Sequence, residues 1–222
     1  MGQAETLAVG TSERGEVHLR RRADGALELR VNGVFVMDDQ ETRSEELLAT
    51  AALEVYDATS AGLTVLVGGL GLGYTVRALL HDPRVGTILV AEIEADLVEW
   101  MRSGLIPSVL DDPRVIVEVG DVREIVAARA GRGLDGILLD VDNGPDFLVY
   151  DGNSAIYQPG FLRTCEAALR PGGVLTVWSS SASDHLAQAM AATYDESTVR
   201  PVPVELQGRD ETYYVYQGQA SS

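Results

Sequence analysis

The stretch Asp140-Val141-Asp142-Asn143-Gly144-Pro145-Asp146 places three carboxylates and an amide within seven residues, directly after the apolar run Ile137-Leu138-Leu139. Carboxylates held at the end of a buried segment can bind an ammonium group and accept its proton as the nitrogen becomes a nucleophile. An acidic turn is the competing reading, because Asn-Gly-Pro punctuates chains regardless of function. Position divides the stretch. Asp140 terminates the apolar run and is assigned to catalysis, with Asp142 as a second candidate for ammonium binding or for the base. Asn143 is assigned to substrate binding, Gly144-Pro145 to the turn and Asp146 to solvent.

Three other segments offer polar groups at the ends of apolar runs. Gly68-Gly69-Leu70-Gly71-Leu72-Gly73 lets the backbone turn sharply and approach a ligand, while the following helix presents its first N–H groups. A G-x-G-x-x-G fingerprint fails here, because its last position falls on Tyr74 or Val76. G-x-G-x-G fits at Gly69, Gly71 and Gly73, a spacing similar to nucleoside-binding loops of the S-adenosylmethionine type; tight packing alone is the alternative. Glu92 closes the next run, where a carboxylate can accept from both hydroxyls of a ribose. Asp121 closes the third, as an acceptor for an adenine amino group, as a helix N-cap, or as both. Tyr157 and Trp178 are aromatic candidates for a pocket wall, with Tyr157 assigned to substrate binding and a core position as the alternative for each. His18, His81 and His185 are scattered without ligand spacing, so no metal site is expected.

These residues need a scaffold that brings successive strand ends together. From Leu63 the sequence alternates short buried strands (TVLVGGLG, TILVAEIE, RVIVEVGD, LDGILLDVD, GVLTVWSS) with helical segments (YTVRALLHD, ADLVEWMRSG, VREIVAARAG, QPGFLRTCEAALRPGG, SDHLAQAMAATY). The alternation predicts a parallel sheet covered on both faces. STVRPVPVEL and ETYYVYQG predict a closing antiparallel hairpin. Residues 16–37 read as a small meander with turns at Asp24-Gly25 and Asn32-Gly33. RSEELLATAALEVY reads as a helix capped by Thr42 or Ser44. The expected division is a β-rich appendage over 1–60, an α/β core over 61–218 and a tail over 219–222.

Composition narrows the partners. The net charge of −17, from 34 acidic residues against 17 basic ones that are all Arg, repels phosphate backbones and argues against nucleic acid. It suits a cationic small molecule, or solubility alone. No apolar run reaches the roughly 18–20 residues of a spanning helix, so no membrane partner is expected. The N-terminus lacks the pattern of a secretory signal, and MGQAET fits a myristoylation motif with no second anchor beside it. Cys165 alone cannot form an intrachain disulfide or a multi-cysteine metal site, and the expected setting is cytoplasmic. Arg20-Arg21-Arg22 is expected to be solvated.

The order of these motifs resembles the spermidine/spermine synthase family, aminopropyltransferases on the methyltransferase-type Rossmann fold. The resemblance runs from about Val17 to Tyr216. LRVNGVFVMDDQETRSEELLATAAL is similar to the segment around the family's L-D-G hairpin, and VLVGGLGLG stands at its I-G-G-G-D-G-G. VAEIE, DDPRVIVEVGD, LDGILLDVDNGP and ALRPGGVL resemble its L-V-E-I-D, D-P-R-V, Y-D-x-I-I-x-D-S-S-D-P and A-L-K-P-G-G segments. The resemblance implies a mostly parallel seven-stranded sheet with an antiparallel edge hairpin and an N-terminal β-domain. It also implies a homodimer, a donor that is decarboxylated S-adenosylmethionine, and an amine acceptor. By position Glu92 would bind ribose, Asp121 adenine and Asp140 the amine. Four positions depart: Gly71 replaces the loop Asp that holds the aminopropyl amine, Val36 a Gln, Ser44 a Tyr, and Asn143 the second Asp. The nucleoside half is kept and the amine half is remodelled. Methyl transfer from S-adenosylmethionine itself and non-catalytic nucleoside binding are therefore the alternatives.

Overall fold

The computed structural model describes residues 4–221; the Met-Gly start of the myristoylation motif lies outside them. Strands β1 (Glu5–Ser12), β2 (Gly15–Arg21), β3 (Leu27–Val31) and β4 (Val34–Asp38) form an antiparallel sheet in that order. The Asn32-Gly33 turn has positive φ at both residues, 52° and 79°, the geometry a two-residue hairpin requires. The sequence reading missed β1. Its Thr-Leu-Ala-Val run does not alternate, and as an edge strand it buries only Gly10. The arginine run is structural rather than merely solvated: Arg20 faces buried Glu28, and Arg22 Nη1 lies 2.5 Å from Asp38 Oδ2. Asp38 in turn accepts from the Gln40 and Glu41 N–H groups, which fixes the path into helix α1 (Arg43–Leu53).

The second sheet follows the expected alternation. It contains β5 (Leu63–Gly68), β6 (Val85–Glu92), β7 (Val115–Val119), β8 (Leu134–Leu139), β9 (Leu169–Ser179), β10 (Glu196–Leu206) and β11 (Arg209–Gln219). Between them run α2 (Tyr74–Leu80), α3 (Ala95–Arg102), α4 (Val122–Ala127), α5 (Pro159–Ala168) and α6 (Asp184–Ala191). The spatial order is β7-β6-β5-β8-β9-β11-β10, with β11 antiparallel to both neighbours and β5 to β9 parallel. Strand β8 is buried at every residue, Asp135 included, and ends in the apolar run Ile137-Leu138-Leu139. Chain order reverses between β5 and β8, so the crevice beyond their C-terminal ends is where a ligand belongs.

Two local readings change. Helix α5 stops at Ala168, and Leu169 turns extended at ψ 153°, because Pro171 disfavours helix in the residues before it. Pro171 and the two glycines after it therefore lie within β9. The expected loop before α5 contains a 3-10 helix over Asp151–Tyr157. Helix α1 packs against α2 and against β8, β9 and β11, and two of its carbonyls accept from the sheet, Leu48 O from Thr176 and Ala51 O from Gln217.

Candidate functional site

A cavity of about 1110 Å³, counted to its open mouth, lies beyond the C-terminal ends of β5, β6, β7, β8 and β9. Leu29, Val31, Val36 and Met37 of the N-terminal sheet form its opposite wall. Gly69, Gly71, Glu92, Asp121, Asp140, Asp142 and Asn143 all line it, so seven of the residues singled out from sequence converge on one space.

Gly69 makes the close approach. Its φ is 90°, and a Cβ there would stand 2.0 Å from the Asp140 carbonyl oxygen. Gly71, at φ 50°, faces Met37, whose Sδ lies 2.7 Å from where a Cβ would be and accepts the Leu72 N–H. Gly73 stands away from the cavity wall. It is the N-cap of α2, and a Cβ there would press on Val109 and Met101, so its role in the structure is packing.

Glu92 is buried, with Oε2 accepting from Leu70 N–H and Oε1 from Glu94 N–H, both at 2.7 Å. Burial pushes its carboxyl above the ordinary range, against the opposing pull of these two N–H groups. Each oxygen keeps a second acceptor site, which suits a pair of hydroxyls. Asp121 is the N-cap of α4, accepting from Arg123 N–H at 2.8 Å. The Arg123 guanidinium, 2.5 Å from Oδ2, holds its carboxyl low. Arg14, from the β1–β2 turn, pairs with Glu94 at 3.2 Å and donates to Ile93 O, which closes the N-terminal sheet over this end of the cavity.

Asp140 follows β8 directly, its N–H donating to Gly68 O. Its carboxylate accepts one hydrogen bond, from Thr75 Oγ1 at 3.2 Å, and burial pushes it above the usual carboxylate range. Asp142 differs. Its oxygens accept from Asn143 N–H, Val149 N–H and Asn153 Nδ2, each at 2.7 Å, so this buried carboxylate organises the loop between β8 and the 3-10 helix. The Asn143 amide spans to the N-terminal sheet, Nδ2 donating to Phe35 O at 3.2 Å. A carboxylate could not make that bond. We therefore expect Asn143→Asp to lower stability by about 1–3 kcal/mol without raising activity, seen as a lower urea midpoint at unchanged m.

Tyr157 is fully buried and does not reach the cavity wall; its hydroxyl has no hydrogen-bond partner among the described residues, and burial together with Asp142 and Asp140 pushes its phenol up. Trp178 does line the cavity. The residue the sequence reading missed is Glu45, in the first turn of α1, which lines the same cavity although buried. A signal existed: Glu45 lies three and seven residues before Leu48 and Ala52, on the stripe that α1 turns inward. Among the described residues no cluster of metal-ligating side chains occurs, and no helix is long and apolar enough to cross a membrane.

This strand order, with its glycine turn at the sheet's switch point, defines an α/β fold of the methyltransferase-like class. Within that class the chain's curated relatives include polyamine aminopropyltransferases. It is 30% identical over 185 residues to the enzyme of Nitrosomonas europaea, covering 78% of this chain and 53% of that one. It is 32% identical over 183 residues to the enzyme of Mycobacterium tuberculosis, covering 79% and 33%. Putrescine N-methyltransferase 4 of Nicotiana tabacum is 29% identical over 126 residues, 55% of this chain and 31% of that one. The chain thus spans about a third to a half of the length of these relatives. No family model matches. A spermidine synthase solved with the transition-state analogue AdoDATO superposes with a TM-score of 0.82 at 16% identity, over 97% of this chain and 73% of that one. Spermidine synthase from Thermotoga maritima gives 0.80 at 16%, over 97% and 72%. The fold inferred from the sequence is therefore the observed one.

Proposed function

We propose that this chain is an aminopropyltransferase that joins the propylamine arm of decarboxylated S-adenosylmethionine to a small aliphatic amine. The observation that carries the reading is the convergence of Glu92 and Asp121 with Asp140 on one cavity around Gly69. Glu92 holds the ribose hydroxyls through the acceptor site that each of its oxygens keeps, and Asp121, whose oxygens also accept from Arg123, faces the adenine amino group. The leaving group, a sulfonium, needs no acid. The protein must align the partners and take a proton from the acceptor's ammonium. Asp140 takes that proton; the freed amine attacks the methylene on sulfur, the carbon–sulfur bond breaks, and methylthioadenosine leaves with the electron pair. Asp142, whose oxygens are engaged by three donors from its own loop, holds that loop in place, and the base is Asp140. A cytoplasmic setting accompanies this reading, as does a homodimer.

Methyl transfer from S-adenosylmethionine is the second reading. It is favoured by the absence of a carboxylate at Gly71, where Met37 fills the space, and by the N-methyltransferase among the relatives. Calorimetric titration with both donors and with methylthioadenosine, followed by product analysis with putrescine, tests the choice. Preference for the decarboxylated donor and release of methylthioadenosine support aminopropyl transfer. A preference for the carboxylated donor, with methylated product, overturns it.

A further inference from the structure

The carboxylates of this protein sort by what compensates them. Glu28, Asp38, Asp82, Asp112 and Asp121 each pair with an arginine. Buried Glu92 and Asp142 are held by backbone N–H groups, joined at Asp142 by the Asn153 amide. Two carboxylates in the cavity have neither kind of support. Glu45 accepts only from Ser44 Oγ, at 2.7 Å, and Asp140 only from Thr75 Oγ1. Among the described residues neither joins an ion pair, yet Glu45 is 7% exposed and the two line the same cavity.

We propose that Glu45 and Asp140 form the seat for a primary ammonium group, Glu45 supplying from α1 the carboxylate that the glycine loop does not carry. The inference rests on the aminopropyltransferase reading for the identity of the amine, and on this structure alone for the seat. Two carboxylates that share a cavity without a cation, Glu45 buried and Asp140 half-buried, are costly to leave ionised together, and a cation placed between them offsets that cost. Burial and the Asp140 charge push the Glu45 carboxyl up, as expected of a group whose cationic partner is a ligand.

Three further observations agree. Trp178, 8% exposed, lines the cavity, and its buried indole Nε1 has no hydrogen-bond partner among the described residues. Tyr213 packs edge-on behind Trp178 with ring centroids 4.9 Å apart, which fixes the Trp178 ring as an apolar wall suited to the methylenes beside an ammonium. An Asp at position 71 would have to displace Met37 from its contact with Leu72 N–H. The carboxylate therefore enters from the facing helix.

The test compares the wild-type chain with Glu45→Gln and Glu45→Asp by calorimetry. The probes are methylthioadenosine, which has no amine, decarboxylated S-adenosylmethionine, and putrescine with and without methylthioadenosine. We expect Glu45→Gln to weaken an amine-bearing probe by tenfold or more, Glu45→Asp to restore part of it, and methylthioadenosine to bind within threefold of wild type. A loss confined to the decarboxylated donor assigns the seat to the donor's amine, and one confined to putrescine assigns it to the acceptor's. Unchanged amine affinity in Glu45→Gln, or no amine binding by the wild type, overturns the seat. Failure of the wild type to bind methylthioadenosine would overturn the transferase reading instead, while the putrescine comparison without nucleoside still decides the seat. Gln is close to isosteric and removes a buried charge, so an unchanged or higher melting temperature checks that the variant is folded.

Discussion

Asp140→Asn is expected to lower kcat by about 10²–10⁴-fold, the usual worth of a positioned base, while methylthioadenosine binds within about threefold of wild type. The amide keeps the size of the carboxylate and can still accept from Thr75 Oγ1, and the Asp140 backbone bond to Gly68 O is untouched. What is lost is the group that takes the ammonium proton. The pH profile gives a second check. The base must be ionised to act, and burial holds Asp140 above the ordinary carboxylate range, so kcat/KM should fall on the acid side at a pH higher than a solvated Asp would give. Glu45 and Tyr157 are the titratable neighbours of Asp140, and Glu41, Tyr74 and Tyr213 are those of Glu45; the three tyrosines are themselves pushed up by burial and stay neutral there. If Asp140→Asn lost nucleoside affinity as steeply as turnover, Asp140 would be a wall of the nucleoside site rather than its base.

The strand-end residues were legible because each depends on one local transition, a buried run meeting a polar residue. Glu92, Asp121 and Asp140 needed only the positions at which β6, β7 and β8 stop. Gly69 was legible for the same reason, whereas Gly73 shares its spacing and serves packing against Val109 and Met101. Glu45 was harder, since its place depends on how α1 docks against α2, β9 and β11. Asn143 was read as a lost carboxylate; the structure shows a positive reason for the amide in its bond to Phe35 O across 108 positions. Met37 belongs to the same class. Its thioether fills the place of a residue-71 side chain, a relation between two segments that no local pattern encodes.

Gly69→Ala should be the most disruptive single methyl in the protein. At φ 90° any L residue is strained, by about 1–3 kcal/mol, and the added carbon would lie 2.0 Å from the Asp140 carbonyl oxygen. That oxygen cannot easily retreat, because Asp140 N–H donates to Gly68 O and β8 pairs with β5 up to Leu139. Either the glycine loop moves or the strand pair opens. Both withdraw Leu70 N–H from Glu92 Oε2 and leave a buried carboxylate with one donor fewer. Gly33→Ala is the fitting control, with φ 79° and open space around the new carbon. It should cost about 1 kcal/mol, or roughly 2–4 °C in melting temperature. Gly69→Ala should lower the melting temperature by more than about 10 °C and abolish methylthioadenosine binding. Equal effects of the two substitutions would mean that strain alone matters at Gly69. A much larger effect there would locate the cost in the contact that makes the glycine loop and Asp140 move as one piece, which is also what holds the base at a fixed place relative to the nucleoside.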